Sequence, residues 1–227
     1  LLAWARDAGW QVAGFLDRNP EALSGFDLDV PVVGDPESYG PAAEEVFACA
    51  IGEPRIKLSL ARALQQRGAR FVNVIHPTAI VGPGNRLGVG IILCPYAVIT
   101  TNVTLGDFVS LNLHGTIGHD ATIGPGCTLN DHTDVTGGAC LGEGVFLGSH
   151  ASVLPGARVG DYARIGAGST VVRSAKAGTT IVGVPGRRLP LLSDAVPASA
   201  GSNPGIVTTA KQPSSLASTG DSLRRAG

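Results

Sequence analysis

Of the five histidines in this chain, His119 is the one followed directly by a carboxylate, Asp120. An imidazole beside a carboxylate is a candidate general base. The carboxylate fixes the tautomer and stabilises the imidazolium that forms when the ring takes a proton. Eighteen residues further on stand Gly137 and Gly138. In a chain that winds with that period, no side chain would fill the space beside the ring. A thioester could lie in the gap, with bare backbone N–H groups facing a developing oxyanion. The bland alternative is a solvated histidine at a corner. Two further arrangements carry other chemistry. His114, His132 and His150 are each 18 apart and should form a vertical column on one edge, either a solvated polar edge or a metal- or pH-sensitive patch. Cys127 offers a thiol nucleophile, but it falls at a small, inward-facing position where packing explains it better.

The element that must position these residues is a repeat. Every sixth residue from Ile75 to Val171 is Ile, Leu or Val, seventeen in succession without an insertion. Six residues turn an α-helix through about 600°, so such a stripe never returns to one helical face. The residue after the aliphatic one is Gly in nine of the seventeen hexads, and the fifth position is mostly small. Pro83-Gly84, Pro125-Gly126 and Pro155-Gly156 are turn signals at the third and fourth positions. Each hexad therefore predicts a short strand, a corner and one inward aliphatic. Three hexads close a triangular coil, and residues 75–176 supply about 5.7 coils stacked roughly 4.8 Å apart. In this register His119 and Asp120 are the third and fourth residues of their hexad, at a corner facing solvent or a neighbouring subunit. The fold class is mainly β, a parallel β-helix.

The flanks read differently. Trp10 to Leu16, Val46 to Ile51 and Phe71 to Val74 read as strands, with a helix from Pro54 to Arg67 that opens on Pro54 and stops before Gly68. That alternation predicts a small α/β unit with a parallel sheet over residues 1–74. Residues 75–190 are the β-helix with a C-terminal extension, in which Ile181 to Arg188 form a last strand and turn. In residues 191–227 small and polar residues dominate; 23 of the 35 from Ser193 onward are Ser, Ala, Thr, Gly or Pro, which predicts a disordered tail. The chain has no methionine and opens on Leu1, within what reads as a helix, so an incomplete N-terminus is expected. A net charge of −1 with scattered Lys and Arg argues against a nucleic-acid partner, and no apolar run is long enough to span a membrane. Four cysteines without a CxxC pair fit a reducing cytoplasm better than a disulfide framework.

Asn112, six residues, then His119-Asp120, within a hexapeptide helix that follows a small α/β unit and ends at Gly183-Val184-Pro185-Gly186-Arg187, resembles the sialic acid O-acetyltransferase group of hexapeptide-repeat acyltransferases. That group includes the N-acetyltransferases for UDP-4-amino-4,6-dideoxy sugars, of the bacillosamine-pathway type, and for perosamine. The resemblance runs from residue 1 to about residue 190. It implies a left-handed β-helix behind a truncated Rossmann-like nucleotide-sugar domain, acetyl-CoA as co-substrate, no metal, and a cytoplasmic homotrimer with active sites between subunits. It implies His119 and Asp120 as the catalytic pair and Asn112 on the sugar side. Phe15-Leu16-Asp17 and Ala50-Ile51-Gly52 match the nucleotide-facing segments, which puts Asp17 and Gly52 at the nucleotide sugar. Gly137 and Ala167 fall where the family meets acetyl-CoA. Two departures are visible: Thr128 replaces a histidine that many members carry nine residues after the base, and no Gly-rich phosphate loop precedes the first strand. Sugar O-acetylation is one alternative function. A zinc protein of the γ-class carbonic anhydrase type is another, since His114 and His119 have that H-x4-H spacing, although the residues two coils earlier are Thr78 and Pro83. A non-catalytic trimeric scaffold is the third.

Overall fold

The computed structural model describes residues 1–190 and 207–211. Two-residue strands recur every six residues from Val74–Ile75 to Thr170–Val171 and assemble into three parallel sheets, the walls of a left-handed β-helical prism. The pairing is the 18-residue offset throughout: Thr116 lies between Val98 and Asp134, and Leu111 between Leu93 and Leu129. The aliphatic of each hexad points inward. Ile99, Leu111, Ile117, Leu129, Val135, Leu147 and Val153 are wholly buried, and the fifth-position residues Ala97, Ala121, Cys127, Ala139 and Ala163 fill the space between them. Burial of each such Leu, Ile or Val is worth about 1.5–3 kcal/mol. After Val171 the winding tightens. Ala175 takes the inward place four residues later, so Val159 pairs with Ala175 and Ile165 with Ile181, 16 residues apart. The strand Thr180–Val182 then turns back on Arg187–Arg188 to close that end.

The N-terminal unit is a small mixed sheet with two helices. α1 (Leu2–Asp7) precedes β1 (Gln11–Leu16), β2 (Val32–Gly34) pairs parallel with β1, and β3 (Val46–Cys49) pairs parallel with β4 (Arg70–Phe71). β2 has only three residues and was not expected from the sequence. The anticipated strand from Phe71 to Val74 is divided: Arg70–Phe71 belongs to this sheet and Val74–Ile75 opens the first coil. α2 (Pro54–Gln66) begins at Pro54 and ends before Gly68, which has φ +95°.

The tail requires a correction. Within residues 191–227, expected to be without structure, Val207–Lys211 forms a strand lying antiparallel between β1 and β3. The rest of the tail lies outside the described residues. The physical reason is the sheet itself. β1 and β3 do not pair with each other, so their facing edges present free backbone N–H and C=O groups, and the β-branched run Val207-Thr208-Thr209 suits an extended strand there.

α2 holds the N-terminal unit against the prism. Leu58 packs on the Gly126 corner, and Phe71 meets Phe108 edge-on with ring centroids 4.9 Å apart. Arg62 pairs with Glu143 at 2.9 Å, Arg164 with Glu53 at 2.9 Å, and the Arg55 guanidinium lies over the Tyr162 ring. Among the described residues no helix is long and apolar enough to cross a membrane.

Candidate active site

His119 and Asp120 occupy a corner of the middle coils, between the strands Thr116–Ile117 and Thr122–Ile123. Asp120 has φ 60°, a left-handed conformation that Asp tolerates better than most side chains. Its N–H donates to the Thr101 carbonyl of the preceding coil, which fixes the corner. His119 Nδ1 is 2.8 Å from Asp120 Oδ2, and the two side chains are 69% and 60% exposed. The hydrogen bond from His119, and a second from Asn102 on the coil before, hold the Asp120 carboxyl below the usual carboxylate range. With Nδ1–H turned to the carboxylate, Nε2 keeps its lone pair on a largely exposed ring. The corner can therefore accept a proton from a group arriving from outside the prism.

Gly137 is where the 18-residue offset places it, with one difference from the expectation. The space above it is not empty: a Cβ at Gly137 would lie 2.6 Å from His119 Nε2, so the imidazole itself rests on this glycine. The Gly138 N–H is engaged by the His119 carbonyl at 2.8 Å. Of the two backbone donors expected to face an oxyanion, only the Gly137 N–H lacks an acceptor among the described residues. The room lies further along the edge, where Gly138 and Gly156 have open space beside them. A strip of bare backbone thus extends from the imidazole.

Asn112 and Ala167 belong to a different wall. Asn112 follows the strand Ser110–Leu111, and its amide is part of a column: its carbonyl accepts from Cys94 Sγ at 3.5 Å and its NH2 donates to Asn130 at 3.1 Å. Ala167 follows the strand Arg164–Ile165 of the same sheet. Within one chain these two share an edge with the histidine column, while His119 and Gly137 sit on the next edge. One protomer does not bring the two sets together.

Asp17 and Gly52 follow β1 and β3 at the carboxyl ends of parallel strands, where open α/β sheets bind ligands. Asp17 is 2% exposed; Oδ1 accepts from the Asn19 N–H at 2.8 Å, and Oδ2 has no partner among the described residues. A buried carboxylate oxygen without a donor is costly unless a ligand supplies one. The Gly52 carbonyl accepts from Thr128 Oγ1 at 2.7 Å.

The histidine column is as the spacing requires. Rings of His114, His132 and His150 stack at 5.0 and 4.8 Å, nearly parallel, and Tyr96, one period earlier, caps the stack at 5.0 Å. No group of three His, Cys, Asp or Glu side chains is gathered for a metal among the described residues. His114 faces the ladder on one edge and His119 faces Asp120 on another. Cys127 points inward, its Sγ against the Gly142 carbonyl at 3.1 Å, and burial pushes its thiol up to about 12. It is a packing residue, not a nucleophile. Sequence reasoning missed Lys57. It is wholly buried on the inner side of α2, and burial pulls its ammonium down to about 8. The signal was present, because Lys57 shares a helical face with Ala61 and Leu64.

The profile of the bacterial transferase hexapeptide family (six repeats) matches residues 138–173. The sequence has no match among curated proteins. Among solved structures, the GDP-perosamine N-acetyltransferase PerB of Caulobacter crescentus, in complex with CoA and GDP-perosamine, is 32% identical, over 83% of this chain and 90% of that one, with a TM-score of 0.74. The chain belongs to the sialic acid O-acetyltransferase and amino-sugar N-acetyltransferase family of hexapeptide-repeat acyltransferases. Two further solved structures are also similar. The acetyltransferase domain of PglB from Neisseria gonorrhoeae, in complex with acetyl coenzyme A, is 26% identical over 78% of this chain and 85% of that one, with a TM-score of 0.68. WeeI from Acinetobacter baumannii is 28% identical over 74% and 83%, with a TM-score of 0.54. The enzyme class is therefore acyltransferase.

Proposed function

We propose that this enzyme moves the acetyl group of acetyl-CoA onto an amine of a nucleotide-linked sugar, with His119 as general base. The observation that carries the reading is the His119–Asp120 pair. Its Nδ1 side is committed to a carboxylate and its Nε2 side is open beside a strip of bare glycine backbone. That strip suits the thioester arm of acetyl-CoA, because side chains there would obstruct it. When bound, acetyl-CoA supplies an activated acetyl group and a thiolate leaving group. His119 Nε2 takes the proton of the attacking amine and can return it to the departing sulfur. Asp120 holds the imidazolium in place, and the Gly137 N–H, which has no acceptor among the described residues, is the donor for the developing oxyanion in this reading. Asp17 and Gly52 face the nucleotide, and the unpartnered Oδ2 of Asp17 supports this by calling for a donor.

The assembly in this reading is a homotrimer. Asn112 and Ala167 lie on one edge of the prism and His119 and Gly137 on the next, so an acceptor held by Asn112 meets His119 only when two prisms stand side by side. CoA contacts to both Gly137 and Ala167 require the same. Residues 1–74, 75–190 and 191–227 are, respectively, the nucleotide-sugar domain, the transferase domain and a tail. Four free cysteines support a cytoplasmic location.

The test is thiol release from acetyl-CoA with GDP-, UDP- and dTDP-linked 4-amino sugars, set against sialic acid. Turnover with an amino sugar is expected. Turnover confined to hydroxyl acceptors, or a monomer of 23.0 kDa in sedimentation that nevertheless turns over at full rate, overturns the corresponding part of the reading.

A further inference from the structure

The amine of Lys57 reaches out of α2 into the wall of the prism and meets four oxygens there: Thr128 Oγ1 at 2.8 Å, Ser110 Oγ at 3.0 Å, the Phe108 carbonyl at 3.2 Å and the Cys127 carbonyl at 3.3 Å. No carboxylate is within ion-pair distance of it among the described residues. An ammonium has only donors, so Thr128 Oγ1 must accept from it. The single hydroxyl proton of Thr128 is then free for the Gly52 carbonyl, 2.7 Å away. The result is a directed relay, Lys57 to Thr128 to Gly52, that starts and ends in the N-terminal unit and passes through the prism between. Gly52 lies in the short turn from β3 to α2. The same turn carries Glu53, which pairs with Arg164 on the same wall.

We propose that Lys57 and Thr128 are positioning residues that fix the register of the β3–α2 turn on the prism, and so set where the nucleotide sugar lies relative to the acetyl-transfer edge. The inference rests on the proposed function for the identity of the ligand at Gly52, and on the hydrogen bonds alone for the coupling. A buried ammonium makes the docking discrete. If the turn shifts by an ångström or two, Thr128 loses its acceptor and the ammonium its nearest partner, and unpaired buried groups are costly. An apolar contact at this place would allow the turn to slide. This also accounts for Thr128 at a position where a larger ring would displace the amine.

Thr128→Val keeps the shape and removes both functions of the hydroxyl; Thr128→Ser retains them. With the amino sugar that the wild-type protein acetylates, Thr128→Val should raise KM for the nucleotide sugar about tenfold, the factor one lost hydrogen bond of this kind is worth. KM for acetyl-CoA and kcat at saturation should stay within about twofold, and Thr128→Ser should restore the wild-type value. An unchanged sugar KM, or equal losses in all three constants, overturns the proposal. If the wild-type protein acetylates no amino sugar, it is the proposed function that fails, and amide hydrogen exchange then tests the relay. Exchange across residues 50–66 should quicken in Thr128→Val and in Lys57→Met, but not in Thr128→Ser, with the prism strands unchanged. Equal exchange in all four proteins overturns the relay.

Discussion

The imidazole of His119 rests on Gly137, one coil further along: a Cβ added there would come within 2.6 Å of Nε2. Gly137 itself is not in the left-handed region, so alanine suits its backbone, and the three atoms nearest an added Cβ all belong to the ring. Gly137→Ala should therefore swing the imidazole off its seat without unfolding the coil. A displacement of about 1 Å at a reacting group can lower turnover by about 10²-fold. The expected result is that loss in kcat with a melting temperature close to wild type. Wild-type kcat in this variant would mean that the ring does not work from the seat described.

Within the His119–Asp120 pair the two members should not be equal. Removing the base, as His119→Ala, should cost a factor on the order of 10² to 10⁴ in kcat. Asp120→Asn keeps a hydrogen-bonding group at Nδ1 but loses the charge that steadies an imidazolium. One charge-assisted bond corresponds to a factor on the order of 10 to 10². Steady-state kinetics with both variants distinguishes a base with its orienter from two solvated corner residues, for which neither change would matter.

Much of this arrangement was legible from spacing alone. A period of six places Leu111, Ile117 and Ile123 inside and His119 at a corner, because an α-helix cannot keep that stripe on one face and the Gly and Pro-Gly signals in each hexad turn the chain too often for one long strand. The column of His114, His132 and His150 follows from the same arithmetic, and Tyr96 one period earlier was equally open to it. The commitment of Asn112 to Asn130, also 18 residues on, was there to be read. The contacts of Lys57 were not, because its partners lie 51 to 71 residues away and period says nothing about how α2 docks. The strand Val207–Lys211 was hidden for a related reason. Its composition is that of a tail, and only the unpaired edges of β1 and β3 give it a place.

Stability should turn over in alkali. Burial lowers Lys57 to about 8, below its free value near 10.5, so from pH 8 to 10.5 the unfolded chain holds a proton that the folded chain has lost. This alone makes stability rise with pH. Burial raises the thiols of Cys94 and Cys127 to about 12, from about 9. Above pH 9 the unfolded chain sheds thiol protons that the folded chain keeps, and stability falls by up to about 1.4 kcal/mol per pH unit for each thiol. Two thiols outweigh one lysine. Urea midpoints should rise slightly between pH 8 and 9 and drop beyond it. The decline should be lost in the Cys94→Ala, Cys127→Ala double variant, where Lys57 is opposed only by the thiol of Cys49, which burial also raises, and should steepen in Lys57→Met. A pH-independent midpoint up to 10.5 would contradict the burial of these groups.

The last expectation concerns the tail. Val207 pairs with Leu16 on one side and Cys49 on the other, the final residues of β1 and β3, so this strand is what joins the two halves of the N-terminal sheet. Without it, β1 with β2 and β3 with β4 are separate two-stranded pairs, a size that is marginal in water. The prism owes nothing to the tail strand, since its walls pair among themselves. Deleting residues 191–227 should raise amide exchange in Gln11–Leu16 and Val46–Cys49 by about tenfold or more while the coils keep their protection. CoA binding should survive the deletion, because the strip beside His119 lies on the prism. Affinity for the nucleotide sugar should weaken, because Asp17 and Gly52 stand at the ends of the two strands that the tail holds together. If exchange in β1 and β3 is the same with and without those residues, the tail strand contributes nothing to the sheet, and its place between them is not what orders the nucleotide-facing edge.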